Sequence, residues 1–468
     1  MCSDTVILRS LVINSNHPTM IPNSVSALKA RRRVNIPELP PELWEIIFYH
    51  ATYVPDIFIP EIYKHSGGLG YLFNRDHYPL IRRSLLTRRY LVRVCKTWWH
   101  LATPFLYRSI FIGRGRCLSS LASALAFSAR GKGVVLGERP LGSFTERLDI
   151  AMRDKSQAHG NTDLELLAEV IRCLPNLVIV SVNVRTNQYG SLAMPDIVMD
   201  ALAYVAPSLK IIDWATRRLL PPLDGLHDVV TATQHLRILR CPYSLTGRTT
   251  AKAICTLSSC TTLAVPLDDM FYRMTPTQLP ALRELSYHCL VLAQQPLFIP
   301  FMKSHGSKLT SVHLYWPGYI AHTNDPIKGL ATHCPNLRRL TIILGIWESF
   351  DAESFKPISV DFLGLRCRQN QSSTRSYKFV ISALERLKDE MPALRTVRFT
   401  SSFNVNELLK NHRKALVHAL ELFKGSKLRL EDHEGRLLSG IFALPILKDH
   451  LAHLAFSTER VVPLYATS

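Results

Sequence analysis

The stretch Pro335-Asn336-Leu337-Arg338-Arg339-Leu340-Thr341-Ile342 decides how this chain is read. Proline closes whatever precedes it, and a leucine two residues later opens a run of the form Leu-x-x-apolar-x-apolar. In that run Leu340 and Ile342 alternate with Arg339 and Thr341, the two-residue period of a strand with one buried face. The same phrase returns at Leu177–Val182, Leu209–Trp214, Leu236–Cys241, Leu282–Tyr287, Leu309–Leu314 and Leu394–Phe399. Pro175, Pro207, Pro280, Pro335 and Pro392 all stand two residues before a leading leucine. Weaker copies appear at Arg147–Ile150, Thr262-Leu263 and Lys427-Leu428.

Taking Leu177, Leu209, Leu236, Leu263, Leu282, Leu309 and Leu337 as leaders, the copies recur every 19–32 residues. A gap of 57 residues then precedes Leu394, enough for two units, one of them degenerate or inserted. Leucine-rich repeats run about 20–29 residues, and the period fits them. Helical stretches lie ahead of several strands, at Leu164–Leu174, Ile327–Cys334 and Phe379–Glu390, and Leu384, Leu387 and Met391 put apolar groups on one helix face. Strand plus helix per unit predicts a stack over residues 140–450, each repeat burying its face against its neighbours. The competing reading is a globular α/β domain with parallel strands. The common phase of the seven copies, five of them with proline at the same place, argues against it. Alternate strand positions point away from the leucine face, which predicts one solvated column of Ser181, Asp213, Arg240, Ser286, His313, Thr341 and Arg398. These are the candidate substrate contacts.

Upstream, the periodicity is helical. Pro40 and Pro41 fit the approach or first turn of a helix, and Leu43, Ile46, Ile47 and His50 follow in one stripe. Thr52–Pro79, with its prolines and glycines, reads as an inserted surface loop. Helical spacing resumes at Leu85 and Leu86, runs through Leu91, Val94 and Cys95 to Trp98, and is expected to end at Pro104, before a short strand at Ser109–Ile112. Cys95 is expected to pack on an apolar face as a small hydrophobe.

With those residues in view, residues 36–112 resemble an F-box, the adaptor-binding motif of ubiquitin-ligase substrate receptors. Its opening Leu-Pro-x-Glu-Leu is matched by Leu39, Pro40, Glu42 and Leu43, with Ile47 a turn later. Its closing Val-Cys-Lys-x-Trp is matched by Val94, Cys95, Lys96 and Trp98, followed by Leu101, Pro104, Leu106 and Tyr107. The insertion at 52–79 stands where the family has its middle helix. The whole chain is similar to the F-box and leucine-rich-repeat proteins of mushroom-forming fungi. The resemblance implies an α/β chain: a small all-helical F-box module, then a leucine-rich-repeat-like strand–helix solenoid. It implies binding of the Skp adaptor, and through it the cullin assembly, by Leu39, Pro40, Leu43, Ile47, Leu91, Val94, Cys95 and Trp98. A protein substrate would sit on the repeats. The rival function is a repeat scaffold outside any ligase, its helical module only capping the stack.

Residues 1–35 read as a basic disordered tail, 113–139 as a connecting helix and loop, and 451–468 as a C-terminal tail. The 56 basic against 37 acidic residues give a net charge of +19, which calls for acidic surroundings. Nucleic acid is not expected as the partner, because the repeats lack the interleaved aromatics of a base-stacking platform. No run of about 18 apolar residues occurs, so no membrane span is expected. The ten cysteines form no Cys-x-x-Cys pair, which points to a reducing compartment, cytoplasm or nucleus. Neither Gly113-Arg114-Gly115-Arg116 nor Gly131-Lys132-Gly133 has phosphate-loop spacing, and no metalloprotease or serine-hydrolase motif is present. No catalytic residue, metal or cofactor is expected.

Overall fold

The computed structural model describes residues 39–55, 57–58, 77–131, 135–136, 139–152, 160–184, 192–214, 216, 219–241, 256–265, 274–288, 295–316, 324–350, 352–355, 358–369 and 372–443. The basic tail, most of the 52–79 insertion and the C-terminal tail lie outside them.

Three helices come first: α1 (Pro41–Thr52), α2 (His77–Leu91) and α3 (Lys96–Arg108). Pro41 occupies the first turn of α1, where its missing N–H costs nothing, and Pro79 sits in the first turn of α2. Trp44, Phe48 and Thr52, at four-residue spacing, form the inward stripe of α1. The Trp98 ring of α3 closes on Trp44 at 4.7 Å and on Phe48 at 4.9 Å between centroids. Ser84 of α2 donates to the Thr52 carbonyl at 2.6 Å, tying α2 to α1. Three expectations are corrected here. A middle helix is present: α2 starts at His77, inside the segment read as a loop to Pro79, with Pro79 tolerated in its first turn. Cys95 is exposed and is no core residue; its Sγ accepts from the Trp98 N–H at 3.4 Å and caps α3. Pro104 does not end α3, which runs on to Arg108.

The chain passes from α3 directly into a parallel sheet that, among the described residues, has twelve strands in sequence order. They are β1 (Ser109–Ile112), β2 (Arg147–Ile150), β3 (Ile179–Val182), β4 (Ile211–Trp214), β5 (Ile238–Arg240), β6 (Thr262–Ala264), β7 (Glu284–His288), β8 (Ser311–Trp316), β9 (Arg339–Leu344), β10 (Phe362–Cys367), β11 (Thr396–Phe399) and β12 (Arg429–Glu431). Helices return the chain between many of them: α4 (Leu118–Ala129), α5 (Gly160–Arg172), α6 (Asp196–Val205), α7 (Leu223–Ala232), α8 (Gln295–His305), α9 (Asn324–His333), α10 (Thr374–Glu390), α11 (Ser402–Asn411) and α12 (Arg413–Leu422). A last short helix, α13 (Leu438–Ala443), follows β12. The protein is therefore an α/β strand–helix repeat stack preceded by a three-helix module.

The leucine phase builds one continuous core. Leu148, Val180, Ile212, Leu239, Leu263, Leu285, Val312, Leu340, Leu363 and Val397 share a register on one sheet face, buried against the helices. Leading residues enclose the strand entries, where one carbonyl of each unit accepts two N–H groups from the next. The Lys210 carbonyl, for example, takes Arg237 and Ile238 at 2.8 and 3.1 Å. The residue after the proline can add a side-chain stitch, as Asn176 does to the Ser143 carbonyl and Asn336 to that of Ser307 (2.8 and 2.7 Å).

Register revises three sequence assignments. β1 pairs with β2, and α4 contributes Leu118, Ala122 and Leu125 to the common core, so the stack starts at Ser109, not at 140. Leu263 is no leader: it aligns with Leu239 and Leu285 inside the strands, and buried Cys260 takes the leading place. In the 57-residue gap before Leu394, β10 pairs with β9 and places Val360, fully buried, where a leucine was sought.

Two glycines mark where units touch backbone to backbone. Gly142 and Gly306 lie three residues before their unit's leading position. A Cβ there would meet a carbonyl of the following unit, Cys173 O at 1.9 Å or His333 O at 2.4 Å. A side-chain tip could swing aside, but a packed carbonyl cannot. Gly306→Ala is expected to lower stability by about 1–3 kcal/mol or more. Gly440→Ala, whose added Cβ meets nothing within 4 Å, should leave it unchanged. Urea denaturation of both variants checks this.

Candidate functional site

The three-helix module closes itself with Trp44, Phe48 and Trp98 and leaves another set bare. Leu43, Ile46 and Ile47 of α1, Leu86 and Tyr90 of α2 and Val94 in the turn before α3 are each 43–68 % exposed. Side chains of this kind are normally scattered singly on a monomer; with Tyr49, Tyr53 and Leu80 the described part of this small bundle exposes nine. Of the expected adaptor contacts, Leu43, Ile47, Val94, Pro40 and Cys95 are exposed, while Leu39 and Leu91 are half-buried. Trp98 is corrected: it packs inward on Trp44 and Phe48. Tyr90 and Leu86 were missed, although their four-residue spacing on a helix signals a shared face.

On the repeats, the predicted column exists in register. Asp149, Ser181, Asp213 and Arg240 align across β2–β5, and Ser286, His313 and Thr341 across β7–β9. Gly364 and Arg398 continue it, ending at Glu431. The expectation that the column is solvated does not hold. Ser181, Asp213, Arg240, Ser286, His313 and Thr341 are all buried, and their polar groups answer one another. Ser181 donates to Asp213 at 3.1 Å, and Arg240 lies 3.3 Å from the same carboxylate. Burial pushes the Asp213 carboxyl up, against the opposing pull of Arg240 and Ser181. Arg398 binds Glu431 at 2.7 Å. At the start of the sheet Arg147 embraces Asp149 through Nε and Nη2 at 2.9–3.1 Å and donates Nη1 to the Ile57 carbonyl at 2.6 Å. Repeating strands stack side chains about 4.8 Å apart, so unlike charges in neighbouring units meet without any partner protein.

One cluster has the composition of a hydrolytic triad. Ser311 Oγ and Glu284 Oε1 lie 3.3 and 2.8 Å from His313, but both from the same nitrogen, Nε2, and Nδ1 has no hydrogen-bond partner. In a hydrolytic triad the carboxylate orients the ring through one nitrogen while the other takes the serine proton, so with both groups on Nε2 this cluster lacks that geometry. Among the described residues no group of histidine, cysteine or acidic side chains could hold a metal. The thiols of Cys260 and Cys334 are pushed up to about 12 by burial and pack as hydrophobes. No described helix is long and apolar enough to cross a membrane.

Exposed basic residues recur at the strand entries, where Arg237, Arg283, Arg338 and Arg395 occupy alternate units, with Thr261, Thr310 and Asp361 between them. Between two of those units a cavity of about 620 Å³ is lined by Arg283, Lys308, Arg338 and Arg339, with Thr310 and Asn336.

No family model matches the chain, and no curated protein is detectably similar in sequence. Among solved structures, the leucine-rich-repeat-containing protein LegL7 from Legionella pneumophila aligns over 76% of this chain and 94% of its own, at 12% identity and a TM-score of 0.30. So distant a likeness carries no argument about function.

Proposed function

We propose that the three-helix module docks on a Skp-type adaptor and that the repeat stack presents a bound protein to a cullin ubiquitin ligase. The observation that supports this most is the division of labour in the module. Trp44, Phe48 and Trp98 seal its interior, while Leu43, Ile46, Ile47, Leu86, Tyr90 and Val94 stay bare. The sequence resemblance of Leu39–Leu43 and Val94–Trp98 to the two halves of an F-box gives that bare face its partner. On this reading the chain catalyses nothing, and its substrate contacts fall on the basic strand-entry edge, since the central column is buried. A repeat scaffold outside any ligase is the second reading; it shares the stack but gives the bare face no adaptor.

Full burial of a leucine or isoleucine contributes roughly 1.5–3 kcal/mol. With 43–45 % of each side chain left to bury on docking, Leu43→Asp with Ile47→Asp should weaken adaptor binding at least about tenfold, from lost burial alone. Because both side chains face water in the free chain, the melting temperature should not fall. Adaptor pull-down and a thermal melt on the same preparation check both halves. Retained binding, or binding lost together with the fold, counts against the reading.

A further inference from the structure

Where the helical module meets the first strands, a second cavity of about 280 Å³ is lined by Tyr49, Tyr53, Phe58 and Phe105 and by two guanidinium groups, Arg88 and Arg108. Arg88 is only 4 % exposed. Its one hydrogen bond is a long one, 3.4 Å from Nη2 to the Thr52 carbonyl, an oxygen that already accepts Ser84 at 2.6 Å. Among the described residues the single carboxylate on the cavity wall is Glu146, engaged by Arg108 at 3.0 Å. The Nε atoms of both arginines are buried without a hydrogen-bond partner. The described lining therefore carries two cations against one anion. A buried guanidinium with neither a carboxylate nor a full set of acceptors is costly, and elsewhere in this chain the same situation is resolved by pairing, as with Arg147 and Asp149.

We propose that this cavity is a binding site for a small organic anion, a single carboxylate or phosphate on a flat apolar body, held by Arg88 and Arg108. One negative charge neutralises the excess, the two guanidinium groups on the wall supply N–H donors that suit carboxylate and phosphate, and the aromatic walls accept the apolar body. The burial that leaves Arg88 short of partners also depresses it to about 10, with Arg108 adding repulsion. Because Arg88 belongs to α2 while Arg108 and Glu146 sit at the entries of β1 and β2, an occupant bridges the helical module and the repeat stack. The site shares no residue with the bare face proposed for adaptor docking.

Benzoate and inorganic phosphate serve as probes for the full-length chain, each compared with chloride at equal ionic strength. At 100 times its dissociation constant, a ligand should raise the melting temperature of a chain this size by about 2–3 °C. Benzoate is expected to do so and phosphate to do less, and Arg88→Met is expected to remove the response to both. Should that variant fail to fold, Arg88→Lys keeps the charge and loses the fork, and calorimetric titration should then show benzoate binding at least tenfold weaker than in the wild type. No shift beyond chloride, equal shifts with and without Arg88, or unchanged affinity in the lysine variant overturns the proposal.

Discussion

Arg147→Ala is expected to destabilise the protein by about 3–5 kcal/mol, because it leaves Asp149 charged in a site with no water to receive it. Both side chains are essentially unexposed, and Arg147 donates three hydrogen bonds to that one carboxylate. Another, to the Ile57 carbonyl, is where the segment after α1 is held against the sheet. Removing both charges together, in Arg147→Met with Asp149→Leu, should cost far less than the single change, since burying an ion pair gains little over an apolar pair of similar size. Denaturant midpoints of Arg147→Met, Asp149→Leu and the double variant measure this as a coupling energy. Near-additive losses would mean that the pair does not act as a unit.

Trp347→Ala is expected to cost about 3–5 kcal/mol through the void it leaves. The ring is wholly buried in the segment between β9 and β10, where the described residues form only short 3-10 turns and no α-helix. It packs on Tyr377 of α10 at 5.7 Å and on Phe399 of β11 at 5.9 Å, and Phe350 and Phe355 stack beside each other at 5.1 Å in the same layer. Aromatic bulk thus does for this unit what a helix does for its neighbours. Trp347→Phe, which keeps most of that bulk, should lose clearly less. Equal losses in the two variants would place the indole's role elsewhere.

That unit also shows where the sequence was hard to read. A search for leading leucines passes over Val360 and Cys260, because burial at that place asks only for an apolar group of suitable size, which valine and a neutral thiol satisfy. It also takes Leu263 for a leader, since Leu-x-x-apolar cannot separate one buried position from another three residues on. Strand alternation correctly put Ser181, Asp213, Arg240 and His313 in a single column, but it cannot distinguish a solvated column from one whose members neutralise each other across strands. The α1 stripe of Leu43, Ile46 and Ile47 was legible by its spacing, yet amphipathicity alone did not say which stripe faced inward. The heavier Trp44 and Phe48, lying on the other side, decided it. Pro104 misled for a local reason: three turns into α3 it forfeits a single backbone bond, which the packing of Phe105 on Phe48 helps to offset.

The most direct test of the account is calorimetric titration of the intact chain with a purified Skp-type adaptor at several temperatures. Docking through Leu43, Ile46, Ile47, Leu86, Tyr90 and Val94 predicts a one-to-one complex whose binding heat grows more negative as temperature rises, the mark of apolar surface leaving water. Absence of a complex, or one whose heat does not change with temperature, would contradict it.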